Sequence, residues 1–236
     1  MPSFVDTHWS GVQAMHANDP LLVARAFEAL CRDYMQPCRV WLRSNGVDEG
    51  DAEELVQAFF ARLIEKRDLV ANRCHGRFRD YLLGALRNFA ANESRLERAQ
   101  RRGGEMRRVT IESLDPLLVD ASTPSHAFER AWALTILERA RSELEAEYRA
   151  RDREELFATL QPMLAGRPEP STYQELADRW GVGVSAVKVA VHRLRGRMRE
   201  LVRSAIRDTL ATDESGPSET DVDEEIAALF AALGGK

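Results

Sequence analysis

Cysteine is scarce in this sequence. Cys31, Cys38 and Cys74 are the whole complement of a 236-residue chain. An odd count of thiols in a chain of this length argues against a disulfide framework. Long apolar runs are lacking too, and none approaches the roughly 20 residues that span a bilayer. The segment MPSFVDTHWS has no basic stretch leading into an apolar one, so a secretory signal is not expected and the cytoplasm is the expected location. Strand-like alternation is rare. There is no glycine-rich phosphate loop, no nucleophile elbow and no metal-ligand set. The histidines (His8, His16, His75, His126 and His192) are scattered without evident catalytic companions. These absences predict no enzyme, no cofactor, no metal and no membrane association.

What is present is an ordinary globular composition, 44% hydrophobic and 30% charged, with a net charge of −5. The charge is unevenly placed. Residues 73–108 hold ten Arg against four acids, and residues 185–210 hold seven Lys and Arg against two acids. The remainder is acidic, most of all 211–236. Two compact basic blocks in an acidic chain are the footprint expected of phosphate-binding surfaces.

Apolar spacing is helical throughout. Leu22, Ala26, Ala29, Leu30, Cys31, Tyr34, Cys38, Trp41 and Leu42 form a first helical stripe over 21–45, closed by Gly46. Cys31 and Cys38 lie on one face of it and read as core thiols. Asp51 is the expected cap of a second helix, with Glu54 completing a capping box, and Leu55, Phe59, Phe60, Leu63 and Ile64 as its apolar face. Residues 68–76 read as a loop. A long helix follows from Phe78 to Arg102, with Phe78, Leu82, Ala85, Leu86 and Phe89 as its stripe and Gly103-Gly104 as its end. Residues 105–127 read as a linker. Helices are then expected over 128–150, with Trp132, Ile136, Leu137, Ala140 and Leu144 inward, and over 152–164, with Leu156, Phe157, Leu160 and Leu164. The acidic end, 211–236, closes on DEEIAALFAALGGK, a short amphipathic helix.

The segment TYQELADRWGVGVSAVKVAVHRLRGRMRE reads as a helix-turn-helix. Leu176, Ala177 and Trp180 would be the buried face of its first helix. Gly181 stands where the turn needs positive φ. Val182 is expected to plug the core and Ser185 to cap the second helix. Val187, Val191, Leu194 and Met198 would face inward. Ala186, Lys188, Val189, His192, Arg193, Arg195 and Arg197 would face solvent. A helix with small residues in its first turn and basic residues behind can enter a major groove. In the first basic block, Asn88, Asn92, Arg95 and Arg98 share one helical face, which suits the backbone of a single strand.

Taken in order, these motifs resemble a bacterial extracytoplasmic-function sigma factor. DAEELVQAFFARLIEK is similar to the family's polymerase-gripping segment, RFRDYLLGALRNFAANESRLERAQRR to its −10-reading helix, and TYQELADRWGVGVSAVKVAVHRLRGRMRELV to its −35-reading domain. The resemblance implies an all-α chain of two helical domains joined by a flexible linker. Residues 1–20 would be an N-terminal segment, 21–104 a sigma region 2-like bundle, 105–127 the linker, 128–210 a sigma region 4-like helix-turn-helix domain, and 211–236 an acidic extension. Asp51, Glu54, Leu55, Gln57, Phe59 and Arg62 would dock on RNA polymerase core, through the clamp helices of its largest subunit, with the flap as a second contact. Asn88, Asn92, Arg95 and Arg98 would follow the −10 region, with loop 68–76 near a flipped base. Lys188, Val189, His192, Arg193 and Arg197 would face the −35 duplex of promoter DNA.

The sequence departs from the family at Ala58, where most members carry an acid. QAFFARLIEK resembles a subgroup with this acidic deficit, in which a Ser/Thr kinase is thought to restore the charge. There the hydroxyl residue often precedes the Gln, whereas here Val56 does. A Ser/Thr kinase, an anti-sigma factor and the C-terminal extension are the candidate regulators. Two other readings stay open: a stand-alone helix-turn-helix regulator binding duplex DNA, and an adaptor that binds only proteins.

Overall fold

The computed structural model describes residues 20–66, 77–100, 123–166, 169–210 and 217–234. All regular structure among the described residues is helical: α1 (Pro20–Ser44), α2 (Glu49–Lys66), α3 (Phe78–Gln100), α4 (Pro124–Arg149), α5 (Glu154–Leu160), a 3-10 turn (Gln161–Leu164), α6 (Pro170–Trp180), α7 (Val184–Arg207) and α8 (Glu219–Ala232). The expected loop 68–76, Gly103-Gly104, most of the linker, Cys74 and residues 211–216 lie outside the described residues, as do the side chains of Leu22, Ala26 and Arg98.

By packing, the chain divides into two units. One holds residues up to Ile136 and from Ile206 onward; the other is Leu137–Ala205. The division falls inside α4 and α7, not at the expected domain edges near 128 and 210. The reason is in the side chains. Phe128, Trp132 and Ile136 are fully buried, and the guanidinium of Arg79 on α3 meets both Glu129 and the Trp132 ring. The start of α4 is therefore built into the first unit.

In that unit α1 packs on α2, and α2 on α3. Leu30, Tyr34, Cys38, Trp41 and Leu42 of α1 are buried, following the stripe read from the sequence. Gly46 ends α1 at φ 83°, a left-handed conformation that glycine adopts without strain. The core is aromatic at its centre. Phe59 meets Phe60 and Phe89, each at 5.5 Å between ring centroids, and Tyr34 meets Phe78 at 5.3 Å. Burial pushes the thiol of Cys38 far up and that of half-buried Cys31 to about 11, so both are protonated core thiols.

Three boundaries move. Helix α2 starts at Glu49, and Ala52 N–H bonds back to the Asp48 carbonyl. The cap position is thus Asp48, and Asp51 lies in the first turn beside Glu49, where acids suit the helix dipole. Helix α4 starts at Pro124, whose missing N–H is harmless at a first helical position. The expected helix 152–164 is α5 plus a 3-10 turn, because Pro162 cannot donate to an α-helical ladder. Phe157, Leu160 and Met163 are its buried residues; Leu156 and Leu164 are half-buried.

Candidate nucleic-acid interface

In the second unit, α6 ends as the sequence predicts. Gly181 is left-handed at φ 64°. Its N–H donates to the Asp178 carbonyl, and Val182 N–H donates to Ala177 at 3.0 Å, which satisfies carbonyls the helix would leave orphaned. Val182 itself is 44% exposed, so it closes the backbone motif and does not plug the core. Helix α7 starts at Val184, and the Gly183 carbonyl accepts from Ala186. Ser185 is therefore a first-turn residue, and the cap position belongs to Gly183.

Helix α7 separates its faces cleanly. Val187, Val191 and Leu194 are buried; Met198, like Trp180, is half-buried. Ala186, Lys188, Val189, His192 and Arg193 are exposed. Lys188 Nζ stands 5.9 Å from the Tyr173 ring centre, an α6–α7 contact that holds the ammonium at the surface.

Two arginines differ from the expectation. Arg195 is half-buried and donates to the Met163 carbonyl at 2.7–2.8 Å and to Gly166 at 2.5 Å. It fastens the chain after the 3-10 turn and is not a free cation. Arg197 is exposed but engaged: it grips Glu147 at 2.6 and 3.0 Å and reaches Glu200 at 2.7 Å. These hydrogen bonds hold the Glu147 carboxyl below the usual carboxylate range and raise the Arg197 guanidinium further.

Beside this pair, Glu147, Tyr148, Arg151, Arg153, Arg193 and Arg197 line a cleft of about 490 Å³. The turn that presents it is defined by backbone geometry. Arg153 N–H bonds to the Tyr148 carbonyl and Asp152 N–H to Arg149, both at 3.0 Å. Asp152 sits at φ 55°, left-handed without being glycine, which holds Arg151 and Arg153 on either side of it. With Glu147 neutralised by Arg197, the cleft keeps a positive excess. Arg151 also acts on the Glu147 carboxyl through its charge, and Arg153 and Arg193 line the same cleft. Arg151 and Arg153 were missed from the sequence; the available signal was the RxR flanking a helix break.

In the first unit, Asn88, Asn92 and Arg95 are exposed on α3, opposite buried Leu82, Leu86 and Phe89. On α2, Asp51, Glu54, Gln57 and Ala58 are exposed, while Leu55 and Arg62 are half-buried. Arg62 lies 5.7 Å over the Phe89 ring. Phe59 is only 2% exposed, so this residue, expected on a docking face, belongs to the core. Val56 is likewise buried, at 1%.

Among the described residues, no group of three His, Cys, Asp or Glu could hold a metal, and no helix is long and apolar enough to cross a membrane. Set against protein-family models, curated proteins and solved structures, the chain matches none.

Proposed function

We propose that this chain is a promoter-specificity subunit of RNA polymerase, of the sigma type that its motifs resemble. It would bind core polymerase through the exposed residues of α2, follow the −10 region with Asn88, Asn92, Arg95 and Arg98, and read the −35 duplex with α7. The observation that carries the reading is the division of α7. Val187, Val191 and Leu194 are buried beneath Lys188, Val189, His192 and Arg193 at the surface, behind a left-handed glycine turn. Short side chains at 186 and 189 leave room for base edges, and the cations behind them meet phosphates. Arg151 and Arg153 add phosphate contacts from outside the helix-turn-helix. Arg197 would have to exchange Glu147 for a phosphate to take part.

Such a protein has no chemistry of its own; it positions polymerase and helps separate the strands. Of the candidate regulators, a kinase finds no acceptor at Val56, which lacks a hydroxyl and is buried. A kinase acting at another hydroxyl, an anti-sigma factor and the C-terminal extension all stay candidates.

The test is gel filtration with core polymerase, followed by transcription in vitro from a fragment lying upstream of this protein's own gene. Co-elution and a discrete transcript are expected. Tight duplex binding by the protein alone, without co-elution, would favour a stand-alone regulator. Binding to neither polymerase nor DNA would sink the reading.

A further inference from the structure

Helix α8 carries its own start signal. At α8, the Ser218 hydroxyl accepts from Asp221 N–H, and the Asp221 carboxylate accepts from Ser218 N–H at 3.0 Å. Val222, Glu225, Leu229 and Ala232 are its buried residues. Their spacing is one helical stripe, but the second position is a carboxylate.

Glu225 is 2% exposed and pairs with the guanidinium of Arg79, itself 3% exposed. It also pairs with Arg77 at 3.0 Å. Arg79 donates to Glu129 at 2.7 Å and lies 4.3 Å over the Trp132 ring. Three elements thus meet on one guanidinium: the start of α3, the first turns of α4, and α8. Two arginines and two glutamates meet here, with Asp80 close enough to act on Glu129, and seating α8 brings the Glu225 carboxylate to both guanidiniums. Without Glu225, Arg77 and Arg79 would each lose a carboxylate partner. Apolar residues in such a place would stabilise at least as well, so a buried ionic cluster is best accounted for by the arrangement it selects. Arg79 and Glu225, at the centre of the cluster, are almost wholly shielded from water, while Arg77 and Glu129 keep part of their surface exposed.

We infer that α8 is a positioning element for the strand-reading helix, and that Glu225 is the positioning residue, acting through Arg79 and Arg77. This rests on the sigma reading. Arg79 is the second residue of α3, and Asn88 lies nine residues further along it, about 14 Å at 1.5 Å per residue. A helix anchored at its first turn by a three-way contact holds its exposed Asn88, Asn92 and Arg95 in a fixed place. Undocking α8 would break the Arg207–Glu219 pair at the end of α7 and loosen α3, while leaving the exposed residues of α2 and the 188–193 stretch of α7 in place.

The test compares wild type, Glu225→Gln, Glu225→Asp, Leu229→Ala and a chain ending at residue 216, with Phe230→Ala as a control because Phe230 is 55% exposed. Each is bound to core polymerase, and three quantities are read: core affinity, affinity for a −35 duplex, and promoter opening by permanganate reactivity. Hydrogen exchange along α3 is followed in the free proteins. Glu225→Gln and the truncation are expected to keep the first two and to reduce opening about 10–100-fold, the effect of misplacing a working surface by about 1 Å. Protection of α3 should fall with opening, Glu225→Asp should restore part of both, and Phe230→Ala should change neither. If Glu225→Gln fails to fold, Leu229→Ala, which weakens docking without touching the charges, must show the same selective loss. Opening at or above the wild-type level in the truncated chain overturns the inference. Loss of α3 protection in variants of a protein whose wild type never joins polymerase would instead fail the sigma reading and leave the positioning contact standing.

Discussion

Gly181 shows how much one backbone angle decides. A Cβ at this position would meet nothing within 4 Å, so Gly181→Ala creates no clash. The penalty is conformational, because φ of 64° is disfavoured for an L-residue by about 1–2 kcal/mol. Chemical denaturation should show a loss of about that size, with reduced duplex affinity only where the second unit is partly unfolded. Glu147 decides something different. Its pKa lies below the ordinary 4.5 because Arg197 hydrogen-bonds the charged form. A depressed carboxylate contributes stability above its unfolded pKa and loses it as pH falls through the folded one. The pair is partly solvated, so its worth is about 0–1 kcal/mol. Thermal melts should place Glu147→Gln slightly below wild type near neutral pH, with the gap closing once the pH drops below about 4. A gap that persisted in acid would show that packing, not charge, was responsible. Glu129 runs the opposite way: burial, its largest influence, raises its pKa despite Arg79, so its contribution grows on acidification.

Helices were legible in the sequence because burial repeats at their period. The stripes of α1, α3 and α7 stand where apolar spacing puts them. Ends were less legible. Asp51 and Ser185 both look like caps, yet Asp48 and Gly183 hold those positions, since several polar or small residues compete within one turn. Val182 departs because hydropathy says that a residue prefers burial, not that a neighbour is there to bury it; Phe59 departs the other way, buried as its place in the apolar stripe implies and not on the docking face that the resemblance assigned. Contacts across the chain were not legible at all. Nothing near Glu225 announces Arg79, and nothing near Arg193 announces Arg151 and Arg153. The cleft makes a prediction at this scale. If Arg151 and Arg153 each meet a phosphate, the double substitution to Ser should reduce the slope of log affinity against log salt by about 0.9 for each phosphate no longer neutralised. Discrimination among base sequences should be unchanged, because phosphate contacts position and do not specify. An unaltered slope in duplex titrations would remove both residues from the interface.

The sequence sets two basic blocks in an acidic chain of net charge −5. On the proposed function, acidic balance elsewhere would limit non-specific binding to nucleic acid, which phosphate contacts alone would drive. On the proposed polymerase face, α2 offers Asp51 and Glu54, but Ala58 interrupts the row at an exposed position. Ala58 stands four residues after Glu54 and four before Arg62, so a carboxylate there would be repelled by one neighbour and attracted by the other. Ala58→Glu should therefore leave folding stability nearly unchanged. Against basic clamp helices the same carboxylate gains a partner, and charge pairs across an interface couple by about 1.5 kcal/mol or more. Core-polymerase affinity should rise about tenfold at low salt, and the gain should shrink as salt screens it. A wild-type chain of weak intrinsic affinity would then depend on a regulator to supply what Ala58 lacks. Equal affinities for Ala58→Glu and wild type at low salt would mean that α2 meets polymerase through another face, or not at all.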